Sequence, residues 1–173
     1  MFSRLELHKN DFLKGNPITI DTNVQLDLVK RHIQIVGASP VHFTGTATKM
    51  AHLYVVEGDV TGELTLDCAR CLTPFPYHYQ VMVKETFVDA EGGPDVQDGE
   101  TDYFPLIEDK IQLDPSLQSA ILLSLPQAIR CSDQCQGICP ECGTNRNEKN
   151  CGCVVKRVDP RWAALGDLFN NKE

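Results

Sequence analysis

Eight cysteines in 173 residues decide what chemistry this chain can do. Four of them, Cys139, Cys142, Cys151 and Cys153, fall within fifteen residues as CPECGTNRNEKNCGC, which is a CPxCG pair, an eight-residue gap and a CxC pair. Four thiolates so spaced suit tetrahedral zinc, a closed structural site of soft sulfur ligands. Pro140 shapes the first turn, and Gly143 admits the backbone conformation that points amides at sulfur. The segment has almost no apolar residue, so a metal's apparent binding energy, about 10–16 kcal/mol, is the one term large enough to hold it folded. Without metal the same residues read as a loosely ordered, redox-sensitive tail.

The other four cysteines form CARC (Cys68, Cys71) and CSDQC (Cys131, Cys135), far apart in sequence. If these stretches meet in space they complete a second four-thiolate site, and eight cysteines divide evenly into two such sites. A competing partition uses Cys131, Cys135, Cys139 and Cys142 for one metal and leaves Cys68 and Cys71 as a reduced pair. Either way one or two structural zinc ions are implied. A CxxC pair also serves thiol–disulfide exchange when its first cysteine opens a helix whose dipole lowers the thiol pKa. Here CARC runs into LTPFPYHY, whose prolines and alternation favour a strand, so that activation is missing.

Arg146, Lys149, Lys156, Arg157 and Arg161 surround the C-terminal cysteines, with Trp162 beside them. A rigid knuckle presenting cations next to an aromatic suits an RNA loop, through phosphate contacts and stacking. The segment from Cys131 onward carries 6 acids against 6 bases, which fits an ordinary solvated surface equally well. The five histidines are scattered, and there is no phosphate-cradling glycine loop, nucleophile elbow or HExxH. The expectation is therefore a protein that is not an enzyme.

The elements that must position these residues are mainly strands. ITIDTNVQLDL (Ile18 to Leu28), VHFTGTATK (Val41 to Lys49), HLYVVEGDVTGELTLD (His52 to Asp67) and PYHYQVMVKETFV (Pro76 to Val88) alternate polar with apolar residues and are rich in β-branched types. CARCLTPF then becomes a hairpin turn. From Asp89 to Asp109 there are eight carboxylates and no base, and Asp89 to Thr101 reads as a mobile acidic loop. A short strand, Lys110 to Leu113, leads to a helix over 114–125, with Asp114 as cap, Pro115 at the first helical position and Pro126 as stop. DPRWAALGDLF after Asp159 repeats the Asp-Pro start of a short amphipathic helix. The fold class expected is α+β: a mainly antiparallel sheet or partly open barrel covered by one or two helices, with a cysteine-rich zinc knuckle on the C-terminal side. Residues 1–130 form the body, and 131–173 the knuckle and final helix.

The formal net charge of −8 belongs to the body, which carries 10 bases and 18 acids up to Arg130. An acidic body repels phosphate and attracts basic proteins. No apolar run nears the roughly 18 residues that cross a bilayer, and the start lacks a signal peptide's apolar core. A cytoplasmic protein without membrane contact is expected, and a reducing compartment favours metal over disulfide.

Taken together, CxRCL before a β stretch, an acidic insert, a DPxLQxxILLxLP helix and CxxxCxGxCPxCGxNxNxxxCxC resemble the YceD family, in the form found in Gram-positive bacteria. The resemblance spans about Leu64 to Leu168, and its first motif falls on Cys68, Arg70, Cys71 and Leu72. It implies a role in accumulation of large-subunit (23S) ribosomal RNA: a factor for its synthesis, processing or stability. The partner would be the large-subunit precursor, a basic ribosomal protein or the 23S RNA itself. A direct RNA-binding zinc module is the alternative, with a thiol-redox or RNA-processing enzyme behind it.

Overall fold

The computed structural model describes residues 5–89 and 103–154. In chain order these form β1 (Glu6–His8), a 3-10 turn (Lys9–Leu13), β2 (Ile18–Val24), β3 (Ile35–Ala38), β4 (Val41–Met50), β5 (Leu53–Asp67), β6 (Pro74–Val88), β7 (Tyr103–Pro105), β8 (Lys110–Gln112) and α1 (Asp114–Leu123). Their contacts divide the chain into two compact units, one of Met1–Ala69 with Thr73–Cys131 and one of Arg70–Leu72 with Ser132–Glu173.

The first unit is organised by a long hairpin. β5 and β6 pair antiparallel along their whole length, from Leu53 opposite Val88 to Asp67 opposite Pro74. β4 lines the first half of the other edge of β5, β3 lines the second half, and β2 pairs with β4. Period-two patterning sends Phe43, Tyr54, Val56, Val60, Leu64 and Leu66 inward, where each is fully buried. The register also brings Gly45 opposite Gly58, with the Phe43 ring laid over both. A Cβ at Gly45 would sit 2.3 Å from the Glu57 carbonyl oxygen, so no larger residue fits there.

Helix α1 closes the inner face. Leu113, Leu117 and Ile121 recur at four-residue spacing, forming a single apolar stripe with no accessible surface. β1 and β8 form a separate two-stranded sheet. The Leu5 N–H donates to Asp114 Oδ1 at 3.0 Å, so the carboxylate expected to cap α1 is occupied by the chain entering β1. The N-cap is Leu113, which makes no side-chain cap hydrogen bond.

Of the remaining expectations, the choice between sheet and partly open barrel resolves to a sheet, and the acidic loop loses its first residue. The sheet is open rather than barrel-like: among the described residues β2 pairs only with β4, and β7 only with β6, in parallel. One α-helix covers it among the described residues, and the second predicted helix lies outside them. Asp89, the residue after β6, is buried and fixed, with the Lys9 ammonium 2.7 Å away and its N–H donating to the His52 carbonyl at 3.0 Å, so it is no part of a mobile loop. The rest of the acidic stretch, 90–101, also falls outside the described residues.

Glu108 and Asp109 turn the chain between Ile107 and Lys110, with φ of 53° and 58°. Two left-handed residues make a type I′ turn, which favours Asn and Gly over Glu. Glu108→Asn should therefore add about 0.5–1 kcal/mol of stability, read as a higher urea midpoint with an unchanged slope.

Candidate metal centres

The second unit builds its first sulfur group on a tight loop. Ile138 and Asn145 form a single antiparallel bridge, the Cys139 N–H donates to the Thr144 carbonyl at 2.8 Å, and the Gly143 N–H donates to the Cys139 carbonyl at 2.8 Å. Gly143, at φ +73°, lets the chain reverse there without strain. Gly152, at φ +67°, does the same between Cys151 and Cys153. The sulfurs of Cys139, Cys142, Cys151 and Cys153 all lie within 4.8 Å of one another. Tetrahedral zinc with bonds of about 2.3 Å needs sulfurs about 3.8 Å apart. The donor set fits the ion in type, number and spacing.

The loop also prepares the charge. Backbone N–H groups of Cys142 and then Glu141 donate to the Cys139 sulfur and hold its thiol down to about 6. The Thr144 hydroxyl, 3.2 Å from the Cys142 sulfur, lowers that thiol as well. Cys153, crowded by the sulfurs of Cys142 and Cys151, is pushed up to about 12. The Arg146 guanidinium donates to the Cys139 sulfur at 3.8 Å, an anion partner that raises its own pKa.

Cys68, Cys71, Cys131 and Cys135 form the other group, again with all four sulfurs within 4.8 Å, and three of the four are buried. Cys68 directly follows β5, and its N–H donates to the Thr73 carbonyl at 3.1 Å across the hairpin turn. The Asn147 amide donates to the Cys135 sulfur at 3.4 Å. The partition that joins Cys131 and Cys135 to Cys139 and Cys142 is not one the described residues form. Both cysteine groups can hold a metal ion.

Gly137 is the most confined of the described glycines in the second unit. It has φ +73°, and a Cβ there would lie 3.0 Å from the Arg70 carbonyl, which also accepts the Ile138 N–H at 3.0 Å. Gly137→Ala should cost about 1–3 kcal/mol in backbone strain. Faster metal release to a chromogenic chelator would show it, with the sheet's circular dichroism unchanged.

The predicted contact residues divide. Arg70 and Lys149 are exposed, whereas Arg146 is half-buried with its guanidinium on sulfur. Lys156, Arg157, Arg161 and Trp162 lie outside the described residues. Asn145 and Asn147 went unremarked in the sequence, although the run TNRNE between two cysteine pairs is the kind of turn-forming stretch in which Asn side chains bond local backbone. Leu72 is left-handed at φ 60° and 62% exposed, a costly place for an apolar side chain. No helix among the described residues is long and apolar enough to cross a membrane.

Comparison with known proteins gives these groups a family. Residues 56–169 match the model of YceD, the large ribosomal RNA subunit accumulation protein. The uncharacterized protein YlbN of Bacillus subtilis is 30% identical over 155 residues, which is 88% of each chain. An uncharacterized protein of Mycobacterium leprae is 29% identical over 79% of this chain, but the match spans 63% of that protein's length, and 55% of the length of a Mycobacterium tuberculosis relative. A maize chloroplast protein named large ribosomal RNA subunit accumulation protein YCED homolog 1 is 24% identical over 69% of this chain and half of its own. No solved structure matches. The chain belongs to the YceD family, which the match over most of its length and the relation to YlbN establish together.

Proposed function

We propose that this protein is a non-catalytic cytoplasmic factor for the large ribosomal subunit, supporting synthesis, processing or stability of 23S ribosomal RNA, with structural zinc at both cysteine groups. Family membership carries the ribosomal part of this reading. The two sets of four sulfurs carry the zinc part. Zinc gives the second unit its rigidity, and the acidic first unit engages a basic ribosomal protein or precursor particle.

The open sheet supports that choice of partner. Its outer face presents Asp21, Glu57, Asp59 and Glu63 from β2 and β5, and Lys84 is tied to Glu57 at 3.7 Å. A face weighted towards carboxylates speeds encounter with basic proteins and repels phosphate. Depletion in cells, followed by quantifying mature 23S RNA against small-subunit RNA, tests the function. A selective fall in 23S RNA is expected, and an unchanged ratio rules the function out.

Exposed Arg70 and Lys149 favour a second reading, direct RNA binding by the zinc unit. That reading requires affinity for 23S fragments that falls as salt rises. Salt-independent or absent filter binding disposes of it.

A further inference from the structure

Two adjacent residues reach both sulfur groups. Arg146 donates from Nη2 to the Cys139 sulfur at 3.8 Å, and Asn147 donates from Nδ2 to the Cys135 sulfur at 3.4 Å. Cys139 belongs to the group completed by Cys142, Cys151 and Cys153, and Cys135 to the group completed by Cys68, Cys71 and Cys131.

The orientation of the Asn147 carboxamide is over-determined. Its Oδ1 accepts the Gln136 N–H at 2.8 Å, which leaves Nδ2 as the atom turned to sulfur. Its N–H and Nδ2 both donate to Asn145 Oδ1, at 3.0 and 2.9 Å, and Asn145 Nδ2 donates to Glu148 at 2.9 Å. Arg146 is fixed at the backbone by donating to the Gly137 carbonyl at 2.9 Å. Four thiolates around a divalent cation carry a net charge of about −2, so donors aimed at those sulfurs stabilise the loaded state.

From this we infer that Arg146 and Asn147 couple the two metal groups: an ion held by Cys139, Cys142, Cys151 and Cys153 fixes the loop that holds Asn147 on Cys135, and so slows loss of the ion from the other group. The coupling is reciprocal by linkage. It rests on the zinc reading above and adds a specific role for two residues that are not themselves ligands. Asn147 is a positioning residue here, acting through the cysteine it contacts.

The test follows zinc release from the full chain to 4-(2-pyridylazo)resorcinol. The unmutated protein should release two ions in two phases. Cys151→Ser removes one phase and identifies the other as the Cys68 group. That surviving phase should run about tenfold faster than in the unmutated protein, the lower end of what outer donors contribute to metal retention. In Asn147→Ala the same phase should already be fast, and adding Cys151→Ser should accelerate it no further. Asn147→Asp keeps the acceptor for Gln136 but loses the amide donor and adds a negative charge. It should match or exceed Asn147→Ala in the release rate while the far-ultraviolet circular dichroism stays native. A surviving phase of equal rate with and without Cys151 overturns the coupling. So does a Cys151→Ser acceleration that is the same size in the Asn147→Asp background. Absence of metal from the unmutated protein would instead overturn the zinc reading and the coupling with it.

Discussion

Stripping metal with a chelator is expected to abolish amide-exchange protection across residues 131–154 while β4, β5 and β6 keep theirs. In that stretch the buried residues are Cys135, Gly137 and Cys139, and its one large aliphatic residue before Val154, Ile138, is 39% exposed. No apolar cluster remains to oppose the conformational entropy of some twenty residues, at about 1–2 kcal/mol each. A structural zinc site supplies binding energy of about 10–16 kcal/mol, so with metal at these sulfurs its loss would remove the dominant favourable term. Protection that survives complete chelation would mean that hydrogen bonds such as Cys139 to Thr144 suffice, and that the sulfurs are incidental.

Leu117→Ala should have the largest effect of any single core substitution in α1, costing about 3–5 kcal/mol. Leu117 has no accessible surface and lies in one stripe with Leu113 and Ile121, both equally buried against the inner face of the sheet. Removing it leaves a cavity in a close-packed layer as well as losing the transfer free energy. Leu123, on the same helix but 86% exposed, is the control, and Leu123→Ala should change stability by less than about 0.5 kcal/mol. Urea denaturation of the metal-loaded protein reads both. Equal midpoints for the two variants would contradict the placement of α1.

The contrast between these two regions explains what could be read from sequence and what could not. β4, β5 and β6 were legible because one face of each is buried and period-two patterning records that face directly; the ends of β5 fall within a residue of their expected places. β1, β3 and β7 were not, because strands of 3 or 4 residues carry few alternations; β8, equally short, was legible from its place just before the Asp-Pro helix start. Their pairing is decided by partners far along the chain, such as Leu7 opposite Ile111. Asp114 shows the same limit. Asp before Pro and an apolar stripe correctly announced a helix start, but the carboxylate's partner is the Leu5 N–H, 109 residues away in sequence. The first sulfur group was legible because its spacing is local, whereas the donors around it, Thr144 and Asn147, are ordinary residues whose roles exist only once the loop is closed.

The proposed zinc would link the fold to the proposed task, since a factor of that kind acts through the surface its metal holds rigid. Elemental analysis of the full chain, purified under reducing conditions without chelators, tests this most directly, repeated after Cys68→Ser and after Cys139→Ser. Two zinc ions per chain, falling to one in each variant, are expected. Native protein without stoichiometric metal, or with its cysteines joined as disulfides inside the cell, would contradict it.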